Sequence, residues 1–483
     1  MKRLALLALL SLQACAGSEP PAMPGASIAA PATWRDGSTS TLAVQADWWR
    51  VFNDPALDAL VDQALAGNLD VKIAAARVEE ARAQLESARA SLRPTLASAA
   101  APQTSRSLSP FGVGVDQDSA QAQFTTAYEV DLFGRLRQTR TAARDELLAA
   151  ADARDAVRIS MIAMVIQGYF SLQATDARLE IIRRTIQERQ LERDLIHRRF
   201  TAGYASQLED QQADAALEAA IRLSPSTELI RAQQESALSQ LIGVSPTSIR
   251  RGPFPAPDGL AVPASVPSQV LEQRPDIAAA ALRLSAADHS LAASRAAFMP
   301  RLQLSGSAGA VASTLLSSPV SLFALGGSVL APIFQGGALR ANRNAAAARR
   351  DEAAFGYKSA VLQAFREVED AMASVRFVSQ EAEAADRQVV ALEGAYHAAQ
   401  RRYQAGYASY LEQLDSERAL LSARLDQVDL RLRRLTALVA LNRSVGGGWS
   451  SVPSGQLTDL PSGSDYRPAG GMAPKVPSAN ERK

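Results

Sequence analysis

Side chains able to carry chemistry are few in this chain, and their spacing does not suit it. The three histidines, His197, His289 and His397, are widely separated, with no pair at the i, i+4 spacing that puts two imidazoles on one helix face for a metal. The single cysteine, Cys15, rules out an intrachain disulfide framework and a cysteine cluster for zinc or iron–sulfur. No metal and no cofactor is expected. Glu79-Glu80, and Glu367 with Glu369, fall on helical stretches that expose charge every turn, without the pocket that general acid–base catalysis needs. Gly446-Gly447-Gly448-Trp449 ends a helix and lacks the Lys and Ser/Thr of a phosphate loop. In Arg274-Pro275-Asp276 the carboxylate stands at a helix start, where it can cap backbone donors. Glu412 and Asp415, three residues apart, share one helix face. The residues argue against an enzyme.

Composition agrees. Of 483 residues 47% are hydrophobic but only 5% aromatic, which with abundant alanine describes long, closely packed helices rather than several compact cores. Lys plus Arg number 51 against 50 Asp plus Glu, so the basic footprint of a nucleic-acid binder is missing. Residues 1–14 run from Lys2-Arg3 through the apolar Leu4 to Leu10 and close on Leu12-Gln13-Ala14, the order of a secretory signal and too short to span a bilayer. Leu12-Gln13-Ala14-Cys15 resembles the lipobox of bacterial lipoproteins, although Gln13 departs from the small or aliphatic residue usual there. The resemblance implies cleavage before Cys15 and its acylation. Ala16-Gly17, without an Asp, implies onward transport to the outer membrane. Residues 15–46, rich in Ala, Pro, Ser and Gly, read as a lipidated linker, and 450–483 as a disordered tail.

The elements in between are written twice. Arg198-Arg199-Phe200-Thr201-Ala202-Gly203-Tyr204-Ala205-Ser206-Gln207-Leu208-Glu209 recurs from Arg401 to Glu412 with nine of twelve positions identical at an offset of 203. Arg77, Leu85, Arg89, Pro94 and Leu96 match Arg283, Leu291, Arg295, Pro300 and Leu302. The body is therefore two copies of one unit, 47–250 and 251–449. Each opens with an amphipathic helix, about 54 to 91 and 276 to 298, that stops before a proline. Two short strands follow, near 94–105 and 122–132, then near 302–310 and 322–334, with alternation clearest in Ala122 to Leu132. Helices over roughly 135–200 and 340–402 then reverse at Ala-Gly-Tyr-Ala-Ser, where Gly203 and Gly406 supply the turn conformation, and return to about 242 and 444. Rods this long must pack side by side.

Four short strands cannot close a membrane barrel, which needs at least about eight and leaves no open edge in lipid. Several copies must each donate four, and a symmetric ring of them encloses an axial tunnel. Gln123, Thr125, Glu129 and Asp131 would line its water and Phe124, Tyr128 and Leu132 would face lipid or loops. The competing reading is a helical periplasmic lipoprotein with a small sheet and no pore.

Trp48-Trp49-x-x-Phe52-x-Asp54-Pro55-x-Leu57, Tyr128-Glu129-Val130-Asp131-Leu132-Phe133-Gly134-Arg135, Arg274-Pro275-Asp276-Ile277, Pro332-Ile333-Phe334-x-Gly336-Gly337, Val368-Glu369-Asp370-Ala371 and Gly446-Gly447-Gly448-Trp449 resemble the motifs of the TolC-like outer membrane factors, in their lipoprotein (NodT or OprM-like) branch, over about residues 45 to 450. The resemblance implies a mainly α fold with a membrane β-barrel: a homotrimer with a twelve-stranded barrel and a long helical coiled-coil barrel in the periplasm. It also implies passive outward conduction of substrates delivered by an RND-type inner-membrane pump and a periplasmic adaptor, with outer-membrane lipid around the strands. The exit duct of a type I protein secretion system shares the fold and is the alternative. The helix reversals are placed by this resemblance at the periplasmic tip, where Glu209 and Asp210 of one copy and Tyr403, Glu412 and Asp415 of the other match gate residues. Three copies of Glu412 and Asp415 would stack two anionic rings. Ala408 stands where TolC has an arginine, and Ser224-Pro225-Ser226-Thr227 is more polar than the family pattern.

Overall fold

A computed structural model describes residues 31, 33–35, 47–108, 110–112, 114–255 and 267–449. The expected signal, Cys15, nearly all of the linker and the tail lie outside the described residues. A short 3-10 turn, Trp48–Phe52, buries both indoles edge to face, 6.2 Å between centroids. Helix α1, Pro55–Gly67, starts because Asp54 accepts from the amides of Ala56 at 2.9 Å and Leu57 at 3.3 Å, with Pro55 where its missing N–H is not needed.

One continuous helix was expected up to about 91, but the structure interrupts it at Asn68. Asn68 Oδ1 accepts from Val71 N at 3.0 Å to start α2, Leu69–Ala90, while its Nδ2 donates to the carbonyl of Leu241 at 2.8 Å. A Cβ on Gly67 would lie 2.2 Å from the carbonyl oxygen of Ile242, so the break is a docking point for a distant segment.

The strands β1, Thr95–Leu108, and β2, Gly114–Val130, are followed by the helices α3, Arg135–Thr201, and α4, Gln207–Leu241. The second copy repeats the order after a one-turn helix α5, Pro267–Gln273: α6, Pro275–Ala296; β3, Arg301–Ser313; β4, Val320–Leu330; α7, Ala338–Gln404; α8, Tyr410–Ser444. Corresponding long helices match residue for residue in length, 67 in α3 and α7 and 35 in α4 and α8. Sixty-seven residues extend about 100 Å. The Arg274-Pro275-Asp276 sequence predicts a cap at Asp276. It sits inside the first turn of α6, no side chain caps that helix, and its carboxylate instead takes Arg274 at 2.7 and 3.0 Å.

All four strands pair antiparallel in the order β1-β2-β3-β4, leaving β1 and β4 as edges without a partner strand among the described residues. At 14, 17, 13 and 11 residues most are longer than the short runs expected. Alanines such as Ala97, Ala99, Ala100 and Ala101 extend the ladder without marking a face, which hid its length. Residues opposed in the register point to the same side. Phe124, Ala308 and Phe323 form one such row, Leu96, Thr126, Gly306 and Leu325 another, and Tyr128 with Leu304 a third. The other face carries Thr125 with Ser307, Glu129 with Gln303 and Ser328, and Gln123 with Gly309. One side of the sheet is mainly apolar and the other mainly polar, with Val311, Val320 and Leu322 as apolar residues on the polar side.

Helix α3 packs on α1, α2, α4, α6 and α8, and α7 packs on α6 and α8. Large buried side chains concentrate near the middle of these helices. Tyr169, Phe170, Val165 and Ile166 of α3 meet Trp48, Trp49, Leu435 and Val439 there, and Val361, Ala364 and Val368 of α7 meet Leu438 and Leu441. Toward the reversals the clusters shrink to groups such as Ile196, Ala213, Ala216 and Leu414, so the stability that apolar burial supplies falls off toward that end. No helix among the described residues is long and apolar enough to cross a membrane.

Candidate functional site

Both helix reversals are built by the same local chemistry. Gly203 and Gly406 hold φ of +77° and +79°, the left-handed region. Gly203 donates to the carbonyl of Phe200 at 2.9 Å and Tyr204 to that of Arg199 at 2.7 Å; Gly406 and Tyr407 repeat this with Tyr403 and Arg402 at 3.0 and 2.8 Å. Last-turn carbonyls that a helix end would leave open are thereby satisfied. Ser206 and Ser409 then cap α4 and α8 by accepting from the amides of Glu209 and Glu412.

The two carboxylates at these matched positions differ. Glu209 folds back on Ser206, accepting from its amide at 2.8 Å and its hydroxyl at 3.2 Å, a complete capping box. Glu412 instead reaches Arg402 Nε at 3.3 Å. Asp210 lies against His197 Nδ1 at 3.0 Å across the α3–α4 turn. Asp415 stays largely in solvent with Arg418 at 3.5 Å. Tyr403 is half-buried, its ring 5.7 Å from that of Tyr410 and under the Arg199 guanidinium at 5.8 Å. Burial, then the charge of Glu209, push its phenol above the ordinary value against the pull of Arg199. Within one protomer the structure groups Glu412 and Asp415 on the first turns of α8, while Glu209 and Asp210 are engaged locally at the start of α4.

Of the strand residues, Gln123, Thr125 and Glu129 share the polar face. Asp131 lies past the last residue of β2 and belongs to the strand–helix junction: its oxygens accept from the amides of Leu136 at 3.1 Å and Arg137 at 2.8 Å. Glu129 is clamped by Arg135 Nη2 at 2.8 and 2.9 Å.

A further cluster lies behind the reversals, between α3, α7 and α8. Arg189 Nε donates to Glu417 Oε1 at 2.8 Å and its Nη1 to the carbonyl of Ala216 at 2.7 Å, both side chains being buried. Gln413 Nε2 donates to Glu192 Oε1. Burial, then the charge of Glu417, lift the Glu192 carboxyl to about 7, with Arg189 opposing. The sequence carries no signal for this group, because Arg189 and Glu417 stand 228 residues apart in different repeats and their repeat counterparts, Leu392 and Asp214, are a different pair of residue types.

Residues 60–244 and 266–447 match the model of the outer membrane efflux protein family. The pyoverdine export outer membrane protein OpmQ of Pseudomonas putida is 33% identical over 470 residues, 93% of this chain and 98% of that protein. The outer membrane protein OprJ of Pseudomonas aeruginosa is 35% identical over 461 residues, 92% of this chain and 95% of that protein. The solved outer-membrane channel OprN superposes with a TM-score of 0.83 at 28% identity, over 90% of this chain and 100% of that one. A family model that takes in both repeats, together with relatives matched nearly end to end, establishes that this chain belongs to the outer membrane efflux protein family.

Proposed function

We propose that the chain is the outer-membrane channel of a tripartite efflux pump, without chemistry of its own. Three copies close a twelve-stranded barrel and pass small molecules outward from an RND-type inner-membrane pump and a periplasmic adaptor. The observation that carries this reading is the sheet: four strands with one mainly apolar and one mainly polar face, and edges at β1 and β4 without a partner strand among the described residues. An open edge is not tolerated in lipid, and a closed ring of such sheets turns Gln123 and Thr125 to water and Phe124 and Phe323 to hydrocarbon. Barrels of twelve strands enclose a bore.

At the other end, Glu412 and Asp415 supply the anionic rings of a periplasmic constriction. The capping box leaves Glu209 a structural role, and the His197 contact draws Asp210 to the turn. Cys15 is the acylation site, which adds an anchor beside the barrel. Single-channel recording of the purified trimer in planar bilayers tests the reading. Discrete conductance steps are expected, larger after Glu412→Ala with Asp415→Ala; a trimer that conducts in neither form would overturn it.

A further inference from the structure

The buried cluster between α3 and α8 has more charge than its surroundings can neutralise. Glu417 is matched by Arg189, and among the described residues no cation forms an ion pair with the Glu192 carboxyl. The other charges facing it are engaged: on α3, Glu188 holds Arg184 at 3.0 Å, Arg193 lies 3.3 Å from Asp194 and 3.9 Å from Asp214 of α4, and Arg199, which lines the same cleft, lies over the Tyr403 ring at 5.8 Å. From α7 the cluster is faced by Tyr396, His397 and Tyr403. Tyr410 joins from α8, and Arg424 of the same helix is held by Glu393 at 2.8 Å. The phenols of Tyr396 and Tyr410 are both raised by burial and the nearby carboxylates, Tyr396 to about 12, so neither supplies charge near neutrality.

The hydrogen bonding of the cluster is incomplete as well. Gln413 Oε1 and Glu417 Oε2 are buried acceptors with no donor, and Arg189 Nη2 and Arg193 Nε are buried donors with no acceptor. Gln413 and Glu417 are 4% and 8% exposed, and both line a cleft of ≈ 390 Å³ shared with Glu192. Of these atoms Gln413 Oε1 is the one that needs a donor beside Glu192, because the Gln413 amide already contacts that carboxyl. With the Gln413 amide turned over, a proton on the Glu192 carboxyl gives Oε1 an O–H donor.

We propose that Glu192 is a proton-binding site: its protonated form latches α3 to α8 behind the helix reversals, and loss of the proton loosens that end of the molecule. Removing the proton sets two carboxylates against the Arg189 guanidinium in a partly desolvated wedge, where like charges repel more than in water. Separation of the helices enough to hydrate Glu192 relieves this. Glu192 lies roughly two to three turns before the end of α3 and Glu417 about two turns into α8, so parting them shifts one reversal against the other. Apolar burial there is confined to a small cluster around Ile196, Tyr410 and Leu414, so the movement strains that cluster and the Arg189–Glu417 pair. A carboxyl raised from 4.5 to about 7 in the latched form favours that form fully below pH ~4.5 and loses the advantage as pH rises to ~7, an effect on the order of a hundredfold in the latched-to-loose ratio.

The test rests on the channel reading and is arranged to fail separately from it. In planar bilayers between pH 5 and 8, the open fraction of the reconstituted full-length trimer should rise with pH. In Glu192→Gln, whose amide is a permanent donor, it should stay at the acid level throughout. Glu417→Gln should move the midpoint to lower pH, since one carboxylate then has Arg189 to itself, and His397→Gln should leave it in place. A Glu192→Gln trimer with the unaltered pH response, or a wild-type trimer that conducts without one, overturns the latch. A trimer that conducts at no pH counts against the channel reading alone. The latch is then decided by electron-spin distances between labels at Tyr204→Cys and Tyr407→Cys, both highly exposed positions, in a Cys15→Ser background. A pH-dependent distance that Glu192→Gln abolishes supports it, and a distance indifferent to pH overturns it.

Discussion

At the scale of the residue, matched positions in the two repeats have taken different work. Glu209 and Glu412 both follow a capping serine by three, yet one closes a capping box and the other reaches an arginine on the preceding helix. Glu209→Ala should therefore cost helix stability, about 1 kcal/mol, read as a lower melting temperature with little change in conductance, while Asp415→Ala should change conductance and leave melting unmoved. Gly203→Ala and Gly406→Ala meet no neighbouring atom, but each forces a Cβ into the left-handed region, so a loss of about 1 kcal/mol per site is expected in chemical denaturation. Asp152 adds a pH term. Burial and then Asp155 lift its carboxyl from 3.8 to about 6, against Arg154. Its stabilising effect is complete below pH ~3.8 and lost as pH rises through ~6. Asp152→Asn should gain on the wild type in melting temperature as the buffer is taken from pH 4 to 7; a constant difference would contradict the assignment. The turn glycines were legible in the sequence because a left-handed turn favours one residue type. The Arg189–Glu417 pair was not, since nothing local marks which of many charged helix residues will meet across 228 positions.

At the scale of the element, the helices and the sheet were legible to different degrees. Helix ends followed the Gly and Ser punctuation closely. The exception, the break at Asn68, depends on a carbonyl 173 residues away and has no local signature beyond an Asn after a Gly. Strand existence was visible in the alternation of Phe124, Tyr128 and their polar neighbours, while strand length was masked by alanine. The face assignment makes a direct prediction. Phe323→Lys on the apolar side should destabilise the assembled barrel by about 2–4 kcal/mol, measured by urea unfolding in lipid vesicles. Thr125→Lys on the polar side should leave stability near wild type and shift ion selectivity toward anions in bilayer recordings. Equal penalties on the two sides would mean that neither face meets lipid.

At the scale of the whole molecule, the duplicated pattern organises everything described. Two helical units whose long helices match in length share one sheet, and β2 of the first copy pairs with β3 of the second, so neither copy has a sheet of its own. Membrane attachment has a second expected source in Cys15. Cys15→Ala should abolish incorporation of labelled palmitate in growing cells, and the barrel should still keep the protein in the outer-membrane fraction.

The unpaired edges of β1 and β4 carry a consequence for heredity. If a ring of three closes only when every edge meets a sound neighbour, one defective edge spoils the two good chains beside it. In a cell making equal amounts of normal and edge-damaged protein, random assembly leaves roughly one ring in eight wholly normal. Damage to an edge strand should therefore behave as a dominant trait, whereas loss of the whole gene copy should be recessive.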